Sequence, residues 1–309
     1  MTAFVDPRSV HPELRSLFGD PRPVDRRAFI VTSLGAGFAA AVLPVSAQTI
    51  TTSGEGLVAG EVKIPVQGGE IPGYRAMPSA GNNFPTVLVV QEVFGVHEWI
   101  KDVCRRLAKM GYYAIAPELY ARQGDPTKIS DTNQLMKDIV STVPDAQVLS
   151  DLDATAAYAK STGKADTAKL DATGFCWGGR IVWMYAGHNP NLKAAVAWYG
   201  PVARNYHEGD KTAMDLVQNI KAPVLGLYGG DDPGIPRDSL DKINAAMRSA
   251  GKTVEIVIYP DTPHGFLADY RPSYRKEASE DGWRRMSAWF NRYLGAADSQ
   301  AARTLRRPT

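Results

Sequence analysis

Leu170-Asp171-Ala172-Thr173-Gly174-Phe175-Cys176-Trp177-Gly178-Gly179 carries a strand-like segment into a turn bounded by glycines. Leu170–Phe175 reads as a strand and Gly178–Ala186 as a helix, which leaves Cys176 at the apex of a sharp strand-to-helix turn. The spacing G-x-C-x-G-G is that of a nucleophile elbow with cysteine in place of serine. Such a turn forces the apical residue into a strained backbone, and bulky side chains two positions to either side would clash. It also sets the thiol at a helix N-terminus, where the helix dipole favours thiolate. No G-x-S-x-G occurs anywhere in the chain, so no serine competes for the role.

Outward from this turn, strand-like and helix-like segments alternate. Upstream, residues 60–66 and 71–76 form a candidate antiparallel pair, and Thr86–Val90 is an apolar run of the kind buried on both faces of a sheet. A helical pattern follows from His97 to Met110, ended by Gly111, and Tyr112–Ala116 is the next strand, closed by Pro117. A long polar-to-amphipathic stretch covers Asp131 to Lys160. Downstream, Ala194–Trp198, Val224–Tyr228 and Val254–Tyr259 are strands, with helices expected over Asp238–Ser249 and Tyr274–Leu294. Alternation of this kind predicts an α/β fold with a mostly parallel sheet covered by helices on both faces. In such sheets the chemistry lies outside the carboxyl ends of the strands.

Two further segments meet that condition. Tyr228-Gly229-Gly230-Asp231-Asp232-Pro233-Gly234-Ile235-Pro236 places two acids directly after a strand, and Asp261-Thr262-Pro263-His264-Gly265-Phe266 places a histidine after the last one. A nucleophile needs a base and the base an orienting acid. The order Cys176, acid, His264 is the chain order of α/β-hydrolases. Motif logic alone does not choose between Asp231 and Asp232. Cys104, inside a helix, reads as an inert buried residue. His97 at a helix start and His188 near a helix end read as surface or capping residues.

Composition narrows the alternatives. The chain has 309 residues, 44% hydrophobic and 22% charged, the balance of a globular protein. Its formal charge of +2 gives no electrostatic reason to expect nucleic acid. Two cysteines exclude a disulfide framework and a Cys-rich metal site. The five histidines contain no i,i+4 pair, so neither a metal nor a cofactor is expected.

The first 47 residues read as an address. Arg26-Arg27 precedes an uncharged run from Ala28 to Gly54, and Val45-Ser46-Ala47-Gln48 supplies a small-x-small cleavage site. This matches a twin-arginine export signal and predicts a periplasmic or secreted protein, handled by the export machinery and with no stable membrane association once cleaved. An uncleaved membrane anchor is the alternative reading. Gly35-Ala36-Gly37-Phe38-Ala39-Ala40 fits a loose dinucleotide-binding pattern, but it follows no strand and belongs to the signal. Residues 48–294 are then the catalytic domain and 295–309 a loose tail.

At these motifs the sequence resembles the dienelactone hydrolase (carboxymethylenebutenolidase) family, over about Gly60 to Leu294. Gln91-Glu92-Val93-Phe94-Gly95 is similar to its Q-E-x-F-G segment, and Gly111 to Arg122 to its G-Y-x-x-x-x-P-x-L-Y-x-R run. The elbow, the loop from Gly229 to Pro236 and His264-Gly265-Phe266 complete the likeness. The resemblance implies an α/β-hydrolase that opens enol-lactones through a Cys176–Asp232–His264 triad, and it selects Asp232 because the family's acid stands four residues before the proline. It also implies that Glu92 hydrogen-bonds the resting thiol and takes part in its activation. A carboxylate at a strand end, paired with a nearby arginine, is the alternative for Glu92. The implied oxyanion hole consists of the Trp177 and Val93 amides.

The sequence departs from the family at the substrate's carboxylate. One of two expected arginines is replaced by Ala268, and only Lys128 and Lys137 stand near the other position. Arg271 and Arg122 are candidate replacements, and Trp198 and Tyr199 candidate pocket-lining residues. The missing arginines keep open a thioesterase or broad esterase, and beyond that an idle ligand-binding protein on the same fold.

Overall fold

The computed structural model describes residues 51–294; the first 47 residues, read above as an export signal, and the tail beyond Leu294 lie outside the described residues. The described residues build an eight-stranded sheet in the order β1-β2-β4-β3-β5-β6-β7-β8. β1 (Leu57–Val66) and β2 (Gly69–Pro78) form the antiparallel pair expected at the start, and β2 runs antiparallel to β4 (Tyr113–Pro117). From β4 onward the sheet is parallel: β3 (Phe84–Val90), β5 (Ala165–Phe175), β6 (Ala194–Trp198), β7 (Val224–Gly229) and β8 (Val254–Tyr259).

The central strands are apolar because both their faces are covered. Thr86 to Val90, all five residues of β6 and all of β7 are buried. The helices are α1 (Glu98–Lys109), α2 (Thr132–Asp138), α3 (Asp145–Ser161), α4 (Trp177–His188), α5 (Arg237–Ser249) and α6 (Lys276–Tyr293). The stretch read as one amphipathic segment from Asp131 to Lys160 is thus two helices. Pro144 separates them, since the residue before a proline is pushed out of the helical region and Pro itself suits a helix start. α1 ends where glycine allows it: Gly111 takes φ +96°, a left-handed conformation costly for other residues.

α1 and α6 share one face. Tyr112 lies edge-on to Phe290 at 6.1 Å, and the Ser287 side chain reaches Met110. α3 and α4 pack together elsewhere on the sheet, where the Tyr185 hydroxyl donates to Asp153 at 2.9 Å. Under α6 sits Trp198. A Cβ on Gly282 would stand 2.6 Å from its ring, so the helix gives up roughly 1 kcal/mol of propensity at that glycine to let the indole in.

Trp198 is therefore a correction. Its ring is fully buried between Gly282, Phe175 and Phe266, in the core and not in a substrate pocket.

Candidate active site

The carboxyl ends of β3, β5, β7 and β8 bring the chemistry together. Cys176 leaves β5 with φ 57° and ψ −122° and begins α4, as a nucleophile elbow requires. The turn is tight because main chains touch across it. A Cβ on Gly174 would meet the Gly178 carbonyl at 2.4 Å, and one on Gly178 would meet the Gln91 carbonyl at 2.2 Å. On its other side Gly179 lies against the Trp198 carbonyl. The Cys176 amide donates to Trp198 O at 3.0 Å, which fixes the strained residue to β6. Cys176 is 1% exposed.

His264 is fully buried and its Nδ1 stands 2.5 Å from Asp232 Oδ2. The other Asp232 oxygen accepts the Gly234 amide at 2.9 Å. Asp231 is exposed, so the geometry singles out Asp232 of the two neighbouring acids. Burial opposes protonation of His264, but the Asp232 carboxylate and then Cys176 outweigh that cost and hold it well above the ordinary imidazole range. An imidazolium in this position stabilises thiolate on Cys176. Cys104 is its opposite: free, buried, and with a thiol pushed up by burial.

Glu92 follows β3 and is fully buried. The turn after it depends on Gly95, at φ +79°, where a Cβ would stand 2.8 Å from the Glu118 carboxylate. The Glu92 side chain pairs with Arg271 at 2.8 Å. Its Oε2 also receives the Tyr270 hydroxyl and His97 Nε2, both at 3.2 Å, while Oε1 has no hydrogen-bond partner among the described residues. Burial pushes Glu92 up, yet Arg271 first and His97 next bring it below the usual carboxylate range. It is an anion in a dry site. Glu92 is thus paired with an arginine, as the alternative reading of it expects.

Arg271 reaches Glu92 from the loop after β8. Its guanidinium carbon lies 5.0 Å from the Phe94 ring and 4.8 Å from that of Tyr270, while Nε and Nη1 are buried without a hydrogen-bond partner among the described residues. The loop is tied down on both sides. Arg106 of α1 bridges Asp102 and Asp269, and Ser279 of α6 donates to the Phe266 carbonyl at 2.6 Å. Tyr199 joins the site with φ 39°, its ring edge-on to His264 at 4.9 Å. Its buried hydroxyl lacks a hydrogen-bond partner among the described residues and is pushed well up, chiefly by burial and then by Glu92.

The candidate residues thus divide. Cys176, Asp232, His264, Glu92, Tyr199 and Arg271 assemble at one place. Arg122 does not join them: its guanidinium is committed to Asp151 of α3, a correction to its reading as a substrate arginine. Trp177 occupies the first position of α4, where the amide has no intrahelical acceptor, and Val93 lies in the Glu92–Gly95 turn. Two residues were missed. His97, read as a surface or capping residue, turns its side chain to Glu92 instead, and Tyr270 was not singled out. Tyr270 belongs to no periodic pattern or motif, and the helical pattern that begins at His97 does not tell where its side chain turns.

Comparison with known proteins gives a consistent picture. Residues 71–294 match the dienelactone hydrolase family. A Methylorubrum extorquens protein named "Putative carboxymethylenebutenolidase" is 59% identical over 288 residues, covering 91% of this chain and 97% of the relative. An Escherichia coli protein of the same name is 49% identical over 268 residues, 86% of this chain and 98% of the relative. The crystal structure of a Klebsiella pneumoniae protein, described as a putative dienelactone hydrolase, is 54% identical and superposes with a TM-score of 0.75. That match covers 77% of this chain and 99% of the other.

Proposed function

Because the chain belongs to the dienelactone hydrolase family, of α/β-hydrolase fold, and is a carboxylic ester hydrolase, we propose that it cleaves its ester or lactone through Cys176, His264 and Asp232. The observation that carries this reading is the strained Cys176 at the elbow beside a buried His264 bonded to Asp232. The Cys176 thiolate attacks the carbonyl carbon and forms a C–S bond. Negative charge collects on the carbonyl oxygen, where the Trp177 and Val93 amides receive it. As that oxygen re-forms its double bond, the C–O bond to the leaving alkoxide breaks, and His264 supplies the alkoxide's proton. Water then attacks the thioester with His264 as base, releasing the acid and restoring the thiolate. Asp232 holds the imidazole in the tautomer and orientation both steps need.

Arg271 gives the substrate its polarity. Two buried donors on one guanidinium without partners among the described residues carry a desolvation cost, and a substrate carboxylate would remove it. This supports a dienelactone-like substrate, in which a carboxylate accompanies the scissile ester. The incoming negative charge also weakens the hold of Arg271 on Glu92 and lets Glu92 accept the proton of any Cys176 still present as thiol. Acid quenching during turnover of para-nitrophenyl acetate, followed by peptide mass spectrometry, should find the acetyl group on the peptide that contains Cys176. An unmodified Cys176 peptide under conditions of rapid turnover would rule out the thioester.

The site of action follows from the first 47 residues. The Arg26-Arg27 pair, the uncharged run and the small-x-small end support export by the twin-arginine route to the periplasm. Replacing both arginines by lysine should leave the full-length chain in the cytoplasmic fraction; unchanged export would remove this assignment.

A further inference from the structure

His97 stands at the N-cap of α1, yet its side chain makes no capping hydrogen bond. Ser, Thr, Asp or Asn there would gain about 1 kcal/mol of helix stability. The imidazole turns instead to Glu92 Oε2, with its ring edge-on to Tyr270 at 5.6 Å. A carboxylate offers only acceptors, so Nε2 carries the hydrogen. Three donors, from Arg271, His97 and Tyr270, thus converge on one oxygen of Glu92, while Oε1 is without a hydrogen-bond partner among the described residues. The His97 side chain keeps 12% exposure, against 4% for Arg271 and none for Glu92, so it forms the solvent-side wall of the carboxylate.

We propose that His97 is a positioning residue that keeps Glu92 anchored by one oxygen when substrate draws Arg271 away, leaving the other oxygen to receive the Cys176 proton. The proposal rests on the roles given above to Glu92 and Cys176. Without His97, the freed carboxylate has only the Tyr270 hydroxyl among its present donors. It then follows Arg271 towards the substrate or takes up a proton. The charged and titratable groups that act on it are Arg271 and Tyr270 from the loop after β8, His97 from the start of α1, His264 and Tyr199, while Cys176 acts on Tyr199 and Arg271 beside it. Among them Arg271 and His97 act most strongly to keep Glu92 ionised. Losing a donor to a carboxylate raises its pKa, so the acid limb of the rate profile moves to higher pH.

The test compares wild type, His97→Phe, His97→Gln and Glu92→Gln across pH with the para-nitrophenyl monoester of succinate, alongside melting curves. His97→Phe is expected to lose about 10–100-fold in kcat on the acid side, the range for one hydrogen bond to a charged group. The loss shrinks towards alkaline pH, with KM little changed. His97→Gln, whose amide can donate, recovers most of the rate. A loss of equal size at every pH with a lowered melting temperature makes His97 a packing residue and overturns the proposal, as does an unaltered profile. If Glu92→Gln is as fast as wild type, the role of Glu92 falls and the proposal with it. Slow Glu92→Gln beside unaffected His97→Phe removes the role of His97 alone.

Discussion

Hydrolysis of para-nitrophenyl acetate by the purified chain should fall by about four to six orders of magnitude in Cys176→Ala, because nucleophile, base and acid act as a unit. The residual rate should resemble what two oxyanion donors and binding alone supply. Among the described residues the other free cysteine cannot compensate: Cys104 lies within α1, buried, with its thiol pushed out of the reactive range. No serine elbow exists to take over. The substitution removes one small buried group, so the melting temperature should change little. Steady-state rates beside a melting curve check both halves, and a variant that keeps even a tenth of the wild-type rate would place the nucleophile elsewhere.

The second large effect concerns Arg271. Arg271→Gln should lower kcat/KM for the succinate monoester by about 100-fold, the scale of a charge-assisted pair lost from a buried site. The acetate ester, which has no carboxylate, should lose no more than a few-fold. Gln is the informative replacement because it can still donate to Glu92. A purely apolar residue would leave a buried charge uncompensated and destabilise the fold. Equal losses on the two esters would show that Arg271 serves only to hold Glu92. A stronger loss on the acetate would contradict the carboxylate site outright.

The parts of this site legible in the sequence are those that backbone geometry demands. Cys176 between its glycines, an acid after β7 and a histidine after β8 each sit where a strand must end, so residue type and strand pattern suffice. Even there the choice of Asp232 over Asp231 came from family likeness; its physical basis is that one is buried against His264 and the other faces solvent. Trp198 and Tyr199 show how the reading failed. Side chains alternate along a strand, so neighbours do not both face one pocket while the strand continues. Trp198 is the last residue of β6 and takes the face under α6, whereas Tyr199 has left the strand with a positive φ and lies on His264. Arg122 was a charge with no evident partner in the sequence, and Asp151, on a helix 29 residues away, supplies one. His97 and Tyr270 depend on where two loops meet, which no local pattern encodes.

The glycines packed around the elbow bear on how the enzyme would respond to a saturation mutagenesis screen. Gly174, Gly178 and Gly179 have main-chain atoms within 2.4 Å of any methyl group placed on them. Each would score as intolerant as Cys176 itself, although their role is to let main chains approach. A map built on loss of function would therefore draw the active site too large on the β5 side. It would also draw it too small on the solvent side, where conservative replacements of His97 keep a donor. Variation in substrate preference is accessible through the loops after β3 and β8, which meet over Glu92, and the joint between β5 and α4 stays closed to it.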